Sequence, residues 1–154
     1  MQIREISTGK WHKVVIEPVT EKDYQQITKK RYFFNWKKEK PYAVYKLRLA
    51  GNNDILGLVS FEINAAEEWI LIRLLAVSIE NRGSEKEYDD IAGNLIAFVG
   101  REAIKLFKHN TCVALEPKTN LKDHYKAMYG MEEAGLRLAL CGVKLVALTK
   151  KYIG

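Results

Sequence analysis

The residues best placed to do chemistry run from Glu68 to Ile96. An apolar strand, Ile70-Leu71-Ile72-Arg73-Leu74-Leu75-Ala76-Val77, enters a polar turn, Glu80-Asn81-Arg82-Gly83-Ser84. A helix follows, starting at Ile91-Ala92-Gly93-Asn94-Leu95-Ile96. A buried strand that feeds a glycine-bearing loop and a helix start makes an anion site. The first N–H groups of a helix lack internal partners, and its dipole favours negative charge there. Gly93 adds to this reading, because glycine inside a helix costs up to about 1 kcal/mol relative to alanine. A ligand or strand approaching closely would account for it; simple packing is the alternative. The ligand class to test first is a nucleotide-like cofactor.

A second group lies later in the chain. Tyr125 and Tyr129 stand four residues apart and share one helix face, either as packed rings or as hydroxyl donors. His124 reads as a surface histidine. Arg73 is unusual in an apolar strand, and Glu62 or a substrate carboxylate could pair with it. Glu62, Glu67 and Glu68 read as surface carboxylates.

These groups must be positioned by a small set of elements. The 154 residues suit one domain, 1–154, with one core. Trp11 to Val19 reads as a strand. Thr20 caps a helix that carries Tyr24, Ile27, Tyr32 and Phe34 and stops before Pro41. Tyr42 to Leu49, the turn Gly51-Asn52-Asn53-Asp54 and Ile55 to Ile63 form a hairpin. The strand at 70–77 comes next, then a helix from Asp89 or Asp90 to Phe107. Thr111 to Glu116 is a short interior strand. A helix from Thr119 or Asn120 to Tyr129 ends at Gly130 in the manner of a C-cap. Leu136 to Leu140 and Val143 to Leu148 read as final strands bent at Gly142. The order β-α-β-β-β-α-β-α-β(β) implies an α/β (α+β) fold: a central mixed, mostly antiparallel sheet with helices on its faces. The unit from 70–77 through 90–107 to 111–116 should be a parallel crossover. Ligands of such sheets bind outside the carboxyl ends of strands, which here means residues 75–93.

Composition narrows the partners. Hydrophobic residues make up 47% and charged residues 29%, as in an ordinary globular chain. No window reaches the length of a membrane span, and the N-terminus lacks a secretory apolar run. Cys112 and Cys141 sit in apolar segments and read as buried free thiols of a reducing cytoplasm. With two cysteines and three histidines, no metal-ligand spacing appears. The net charge of +6 is concentrated in Lys29, Lys30, Arg31, Lys37, Lys38 and Lys40, interleaved with Tyr32, Phe33, Phe34 and Trp36. Such a segment can bind nucleic acid, but an amphipathic helix with aromatics inward is the favoured reading. A basic surface would also attract a polyphosphate cofactor.

The order of elements, with Leu75-Ala76-Val77 before Asn81-Arg82-Gly83 and then Ile91-Ala92-Gly93-Asn94-Leu95-Ile96, resembles the GNAT superfamily of acetyl-CoA-dependent N-acetyltransferases. The segment His124-Tyr125-Lys126-Ala127-Met128-Tyr129-Gly130-Met131 is similar to that family's helix with a tyrosine ahead of a glycine. The resemblance covers about residues 12–150. It implies an enzyme that moves acetyl from acetyl-CoA, as cosubstrate, to a primary amine of a small molecule or peptide; the cysteine reading places it in the cytoplasm. It implies that Leu75, Ala76 and Val77 pair with the pantetheine arm and that Arg82, Gly83, Ile91, Ala92 and Gly93 bind the pyrophosphate. Tyr125, or Tyr129 in reserve, would give a proton to the leaving thiolate. Three features depart from the family pattern. Its Gln/Arg-x-x-Gly-x-Gly/Ala loop aligns with Glu87, Asp90 and Ala92, of which only Ala92 fits. Arg73 stands where some members carry a glutamate base. Tyr125 is one residue further from its glycine than usual. The loop also holds Glu85, Glu87, Asp89 and Asp90, which would repel a pyrophosphate unless they point away or cap the helix. A catalytically silent acyl-CoA-binding or protein-interaction module on the same fold is therefore the alternative. The basic or mixed character of the segments expected to meet the acceptor suits a peptide, an amino acid or an acidic amine. Oligomeric state is open, a homodimer included.

Overall fold

The computed structural model describes residues 1–118 and 121–153. Its chain forms two compact units, one of residues 1–60 with 74–95, the other of residues 61–73 with 96 onward. The mixed sheet and flanking helices expected from the sequence are present, and strands β4 (Ile55–Asn64) and β5 (Trp69–Val77) give residues to each unit.

In the first unit the strand order is β6-β1-β2-β3-β4-β5. Strands β1 (Gln2–Glu5), β2 (Trp11–Pro18), β3 (Ala43–Leu49) and β6 (Tyr88–Asp89) join β4 and β5 there. β2 runs antiparallel to β3, from Val14↔Leu49 to Pro18↔Tyr45. β1 lies between β2 and β6, antiparallel to both. Neither β1 nor β6 is visible in the sequence, because each is short and owes its existence to partners distant in the chain.

The helix expected over 20–40 is instead a broken run: a 3₁₀ turn at Glu21–Gln25, helix α1 at Lys29–Tyr32 and a second 3₁₀ turn at Trp36–Glu39. The physical reason is repeated capping. Thr20 and Asp23 form a capping box, and Thr28, extended, accepts the N–H of Arg31. A threonine hydroxyl that bonds the backbone ahead of it starts a new turn rather than continuing an old one. Phe33, at φ 74°, ends α1. Tyr32 and Trp36 are fully buried with Ile27, Val44, Ile55, Leu58 and Ala76. The Tyr32 hydroxyl donates to the Ile55 carbonyl at 2.7 Å, and Trp36 Nε1 to the Tyr32 carbonyl at 3.0 Å. Lys29, Lys30, Lys37 and Lys38 stay exposed. Two of the aromatics that could stack on nucleic-acid bases are thus core residues, as an inward-facing aromatic stripe requires.

In the second unit the order is β4-β5-β7-β9-β8. β5 pairs in parallel with β7 (Cys112–Leu115), as the crossover reading requires, and α2 (Ile91–Phe107) is the connecting helix. Helix α3 (Lys122–Tyr129) ends at Gly130, left-handed at φ 71°, whose N–H reaches the Lys126 carbonyl. Its expected start at Thr119 or Asn120 lies outside the described residues. A hairpin of β8 (Glu132–Ala134) and β9 (Arg137–Cys141) follows.

The last segment is a correction. Residues 142–153 form helix α4 (Gly142–Ile153), not a strand. Leu145 and Leu148 are buried while Val143 is 86% exposed, a helical spacing within a run too short for periodicity to decide. Gly142, at φ 56°, turns the chain out of β9. Gly100 makes room for α4, since a β-carbon there would meet Leu145 Cδ1 at 2.9 Å and Thr149 Oγ1 at 3.0 Å.

The cysteines are a second correction. Cys112 and Cys141 form a disulfide. They face each other directly across β7 and β9, with Cα atoms 4.2 Å apart. The next rung carries the bond from Gly142 N–H to the Thr111 carbonyl. The cysteines therefore occupy a non-hydrogen-bonded rung, where opposed side chains approach most closely. Cys112 is half-buried and Cys141 exposed. Register decides this pairing, and register was not readable from the apolar runs.

Candidate cofactor-binding site

The site begins where β5 outlasts its parallel partner. The ladder with β7 runs from Trp69↔Cys112 to Ile72↔Leu115, and β5 continues to Val77. At that point the alternation of burial also breaks, with Arg73, Leu74 and Leu75 half-buried in succession. Ala76 is 5% exposed. On the β4 side the strand is closed by the bond from Ser78 N–H to the Leu56 carbonyl at 2.9 Å. A strand end with backbone groups open along one side can take an extended ligand as an added strand. Leu75, Ala76 and Val77 lie at the end of β5, past its last pair with β7 among the described residues.

The loop after Val77 is organised by Asn81, a residue of the expected polar turn whose side-chain role has no local sequence signal. Asn81 is 4% exposed. Its Nδ2 donates to Ser78 Oγ at 2.9 Å and its Oδ1 accepts the Tyr88 N–H at 2.8 Å. With the bond from Glu87 N–H to the Glu80 carbonyl, this closes residues 81–88 on themselves. The turn chemistry Glu80-Asn81-Arg82-Gly83 is legible; a partner seven residues away is not. Gly83 has φ 79°, a conformation that favours glycine, and no described protein atom lies within 4 Å of where a β-carbon would stand. The guanidinium of Arg82 lies over the Phe33 ring at 4.1 Å. Beside it, Arg31 binds Asp54 (2.8 Å) and Glu80. The hydrogen bonds it donates to Asp54 and Glu80 raise the Arg31 pKa, so it stays charged. Burial pushes the Glu80 carboxyl up, but the Arg31 hydrogen bonds outweigh it and hold it below its usual value.

Four carboxylates lie before α2, and each has a place. Glu85 and Glu87 are exposed. Asp89 is paired with Lys86 at 3.0 Å and Arg4 at 3.9 Å, and its Oδ1 accepts the Asp90 N–H at 3.0 Å. Burial raises the Asp89 carboxyl; the bonds from Lys86 and Asp90 N–H outweigh this and keep it ionised. Asp90, at φ 75°, accepts at its carbonyl the backbone N–H of Asn94 (3.1 Å) and its Nδ2 (2.8 Å). Asn94, fully buried, also donates to the Gln2 carbonyl at 3.0 Å, tying β1 to the helix start. The N–H groups of Ile91, Ala92 and Gly93 form the first turn, which a helix cannot satisfy from within. Ile91 and Gly93 are buried and Ala92 is half-buried. Leu75, Ala76, Val77, Arg82, Gly83, Ile91, Ala92 and Gly93 thus all belong to the first unit, on β5, its loop and the start of α2. Arg82 is placed on Phe33.

The tyrosines belong to the second unit, on α3. Tyr125 is 8% exposed and its ring lies 5.9 Å from that of Tyr129. The exposed His124 touches both edge-on, at 5.9 and 6.1 Å. Helix α3 is fastened to β8 by Lys122 and Lys126, whose hydrogen bonds hold the Glu133 carboxyl at about 2. Arg73 binds Glu62 at 3.1 Å. Among the described residues no group of three or more His, Cys, Asp or Glu side chains could hold a metal, and no helix is long and apolar enough to cross a membrane.

No protein-family model and no curated protein sequence matches the chain. Solved structures do. The ribosomal-protein-S18-alanine N-acetyltransferase of Escherichia coli superposes with a TM-score of 0.60 at 12% identity, over 84% of this chain and 94% of that one. The spermidine N-acetyltransferase SpeG of Vibrio cholerae gives 0.60 at 13%, over 86% and 96%. Naa50 of Arabidopsis thaliana, in complex with the bisubstrate analogue CoA-Ac-MVNAL, gives 0.56 at 20%, over 79% and 84%. The strand that outlasts its partner, the loop behind it and the helix after it are therefore set in a known frame: the chain has the fold of the GNAT superfamily of acetyltransferases.

Proposed function

We propose that the protein transfers an acetyl group from acetyl-CoA to a primary amine. The observation that carries this reading is the run of β5 past Ile72↔Leu115 into a loop and the first turn of α2. In this reading the backbone of Leu75, Ala76 and Val77 holds the pantetheine arm as an added strand. The first-turn N–H groups of Ile91, Ala92 and Gly93 meet the pyrophosphate, with Gly83 shaping the loop. Arg82 reaches the phosphates by leaving Phe33. The neutral amine nitrogen attacks the thioester carbon, the C–S bond breaks, the thiolate takes a proton from Tyr125, with Tyr129 in reserve, and the proton shed by the nitrogen passes to water, from which the tyrosinate is reprotonated. Positioning and the backbone N–H groups near Val77 supply most of the acceleration. The fold's relatives named above act on a protein alanine and on spermidine. For this chain the paired carboxylates Glu80 and Asp89 and the exposed lysines around α1 support a peptide, an amino acid or an acidic amine as acceptor.

One observation favours a second reading. The Asp89 carboxylate already bonds the Asp90 N–H just before α2, at the end of the helix that a phosphate would seek. A silent acyl-CoA-binding or interaction module would tolerate that. Calorimetry with CoA, then an amine panel with acetyl-CoA and thiol detection, separates the readings. Binding with turnover supports the enzyme, and binding alone supports the module. No heat and no melting shift at millimolar CoA would remove the enzyme and the acyl-CoA-binding module and leave the interaction module. Gly93→Glu, which sets a carboxylate at the helix start, should abolish CoA binding; because Gly93 is buried, the variant is first compared with the parent by thermal unfolding, and unchanged affinity would place the phosphates elsewhere.

A further inference from the structure

One cleft of the first unit has no part in acetyl transfer as proposed. It has a volume of about 370 Å³ and lies at the end of β2 and the start of β3, walled by Val19, Glu21, Tyr24, Tyr42 and Tyr45, with Lys40 at its side. The Lys40 ammonium sits 4.7 Å from the centroid of the Tyr24 ring and 2.7 Å from Glu21 Oε1. An aromatic face and a carboxylate converging on one ammonium form a cation site, and here the occupant belongs to the chain itself. Lys40 is 42% exposed and has a flexible stem, so it can withdraw into water. Burial raises the Tyr24 phenol, so the ring stays neutral and keeps its electron-rich face at neutral pH.

We propose that this cleft binds the alkylammonium group of a small amine, between the Tyr24 ring and the Glu21 carboxylate, in the place that Lys40 fills when no ligand is bound. The apolar walls at Val19 and Val44 suit the alkyl chain next to the charge. The inference stands on this cleft alone and is independent of acetyl transfer.

The test is an NMR titration of the whole protein with n-butylammonium chloride, with n-butanol and sodium chloride as controls. Saturable shifts at Tyr24 and Lys40 with the amine, and none with either control, are expected. Lys40→Met removes the internal competitor and should tighten binding by about threefold or more, as expected when a competent state becomes fully populated. Glu21→Gln, at a residue 81% exposed, should weaken it without touching the core. The proposal is overturned if the shifts do not saturate, if butanol reproduces them, or if Lys40→Met and Glu21→Gln both bind as the parent does.

Discussion

Gly57 of β4 faces Ile91 of α2 so closely that a β-carbon at position 57 would lie 2.7 Å from Ile91 Cγ2. It would also meet Leu95 Cδ1 at 2.9 Å and the Ala76 carbonyl oxygen at 3.4 Å. The start of the helix and the end of β5 are thus both set against one glycine. Leu95 ends in a mobile methyl, but Ile91 is β-branched and stiff. Gly57→Val should destabilise the protein by about 1–3 kcal/mol, the usual range for overpacking a filled core. Gly57→Ala should cost less. Denaturant midpoints at constant slope measure both, and a neutral Gly57→Val would mean that the α2 start can shift freely.

The Cys112–Cys141 bridge closes a loop of sequence separation 29 that contains α3. On the chain-entropy estimate a loop of that size contributes roughly 3–4 kcal/mol. Reduction should therefore lower the melting temperature, by on the order of 10 °C for a chain of this size. The double variant Cys112→Ser/Cys141→Ser should melt at the same lower temperature with or without reductant. Thiol counting on the unfolded, unreduced protein checks the premise: two free thiols would show that the bridge does not form.

The middle of the fold was legible in the sequence because it rests on local signals. The hairpin turn Gly51–Asp54, the apolar run into Val77, the 3.6-residue spacing through Phe107 and the Gly130 stop each lie within a few residues. What stayed hidden depends on register or on distant partners. Asn81 matters through Tyr88, Asn94 through Gln2, Gly57 through Ile91 and Cys112 through Cys141. Val143 to Leu148 was misread because six apolar-rich residues fit either period, and only packing against Gly100 selects the helix.

Asp23 and Lys46 form a pair 2.7 Å apart, both nearly buried, with Glu17 3.6 Å from the same ammonium. Burial pushes the Asp23 carboxyl up, but the bonds from Lys46 and Thr20 outweigh it, so its folded pKa lies below the usual value. A carboxylate depressed in this way stabilises fully above its unfolded pKa of about 3.9 and loses that contribution as pH falls through the lower folded value. Asp23→Asn should be destabilising at pH 7, below the roughly 3–5 kcal/mol typical of a broken buried pair, because Glu17, which Arg48 binds at 2.6 Å, still lies 3.6 Å from the Lys46 ammonium. The gap between parent and variant should narrow below pH 4. A gap that stays constant from pH 7 to pH 3 would show that the charge of Asp23 contributes nothing.

Tyr125 is the first choice for the proton donor to the leaving thiolate. It is the more buried of the two rings on α3, and Tyr129 lies one turn on, against it. If Tyr125 acts by proton donation, Tyr125→Phe should lower turnover by about 10²-fold, the low end for general-acid catalysis, with CoA affinity little changed. A thiolate leaves fairly well unaided, so a larger loss is not expected. Tyr129→Phe should have a small effect. Because Tyr125 is also a packed ring, each variant is first compared with the parent by thermal unfolding, and Phe keeps the ring while removing only the hydroxyl. The decisive reading is then the split between turnover and affinity. A drop in turnover at unchanged CoA affinity and unchanged melting assigns chemistry to the Tyr125 hydroxyl. Equal loss of stability and activity assigns it to packing. Equal activity of parent and both variants would take the tyrosines out of the mechanism and leave positioning by Leu75–Val77 and the α2 start as the working parts.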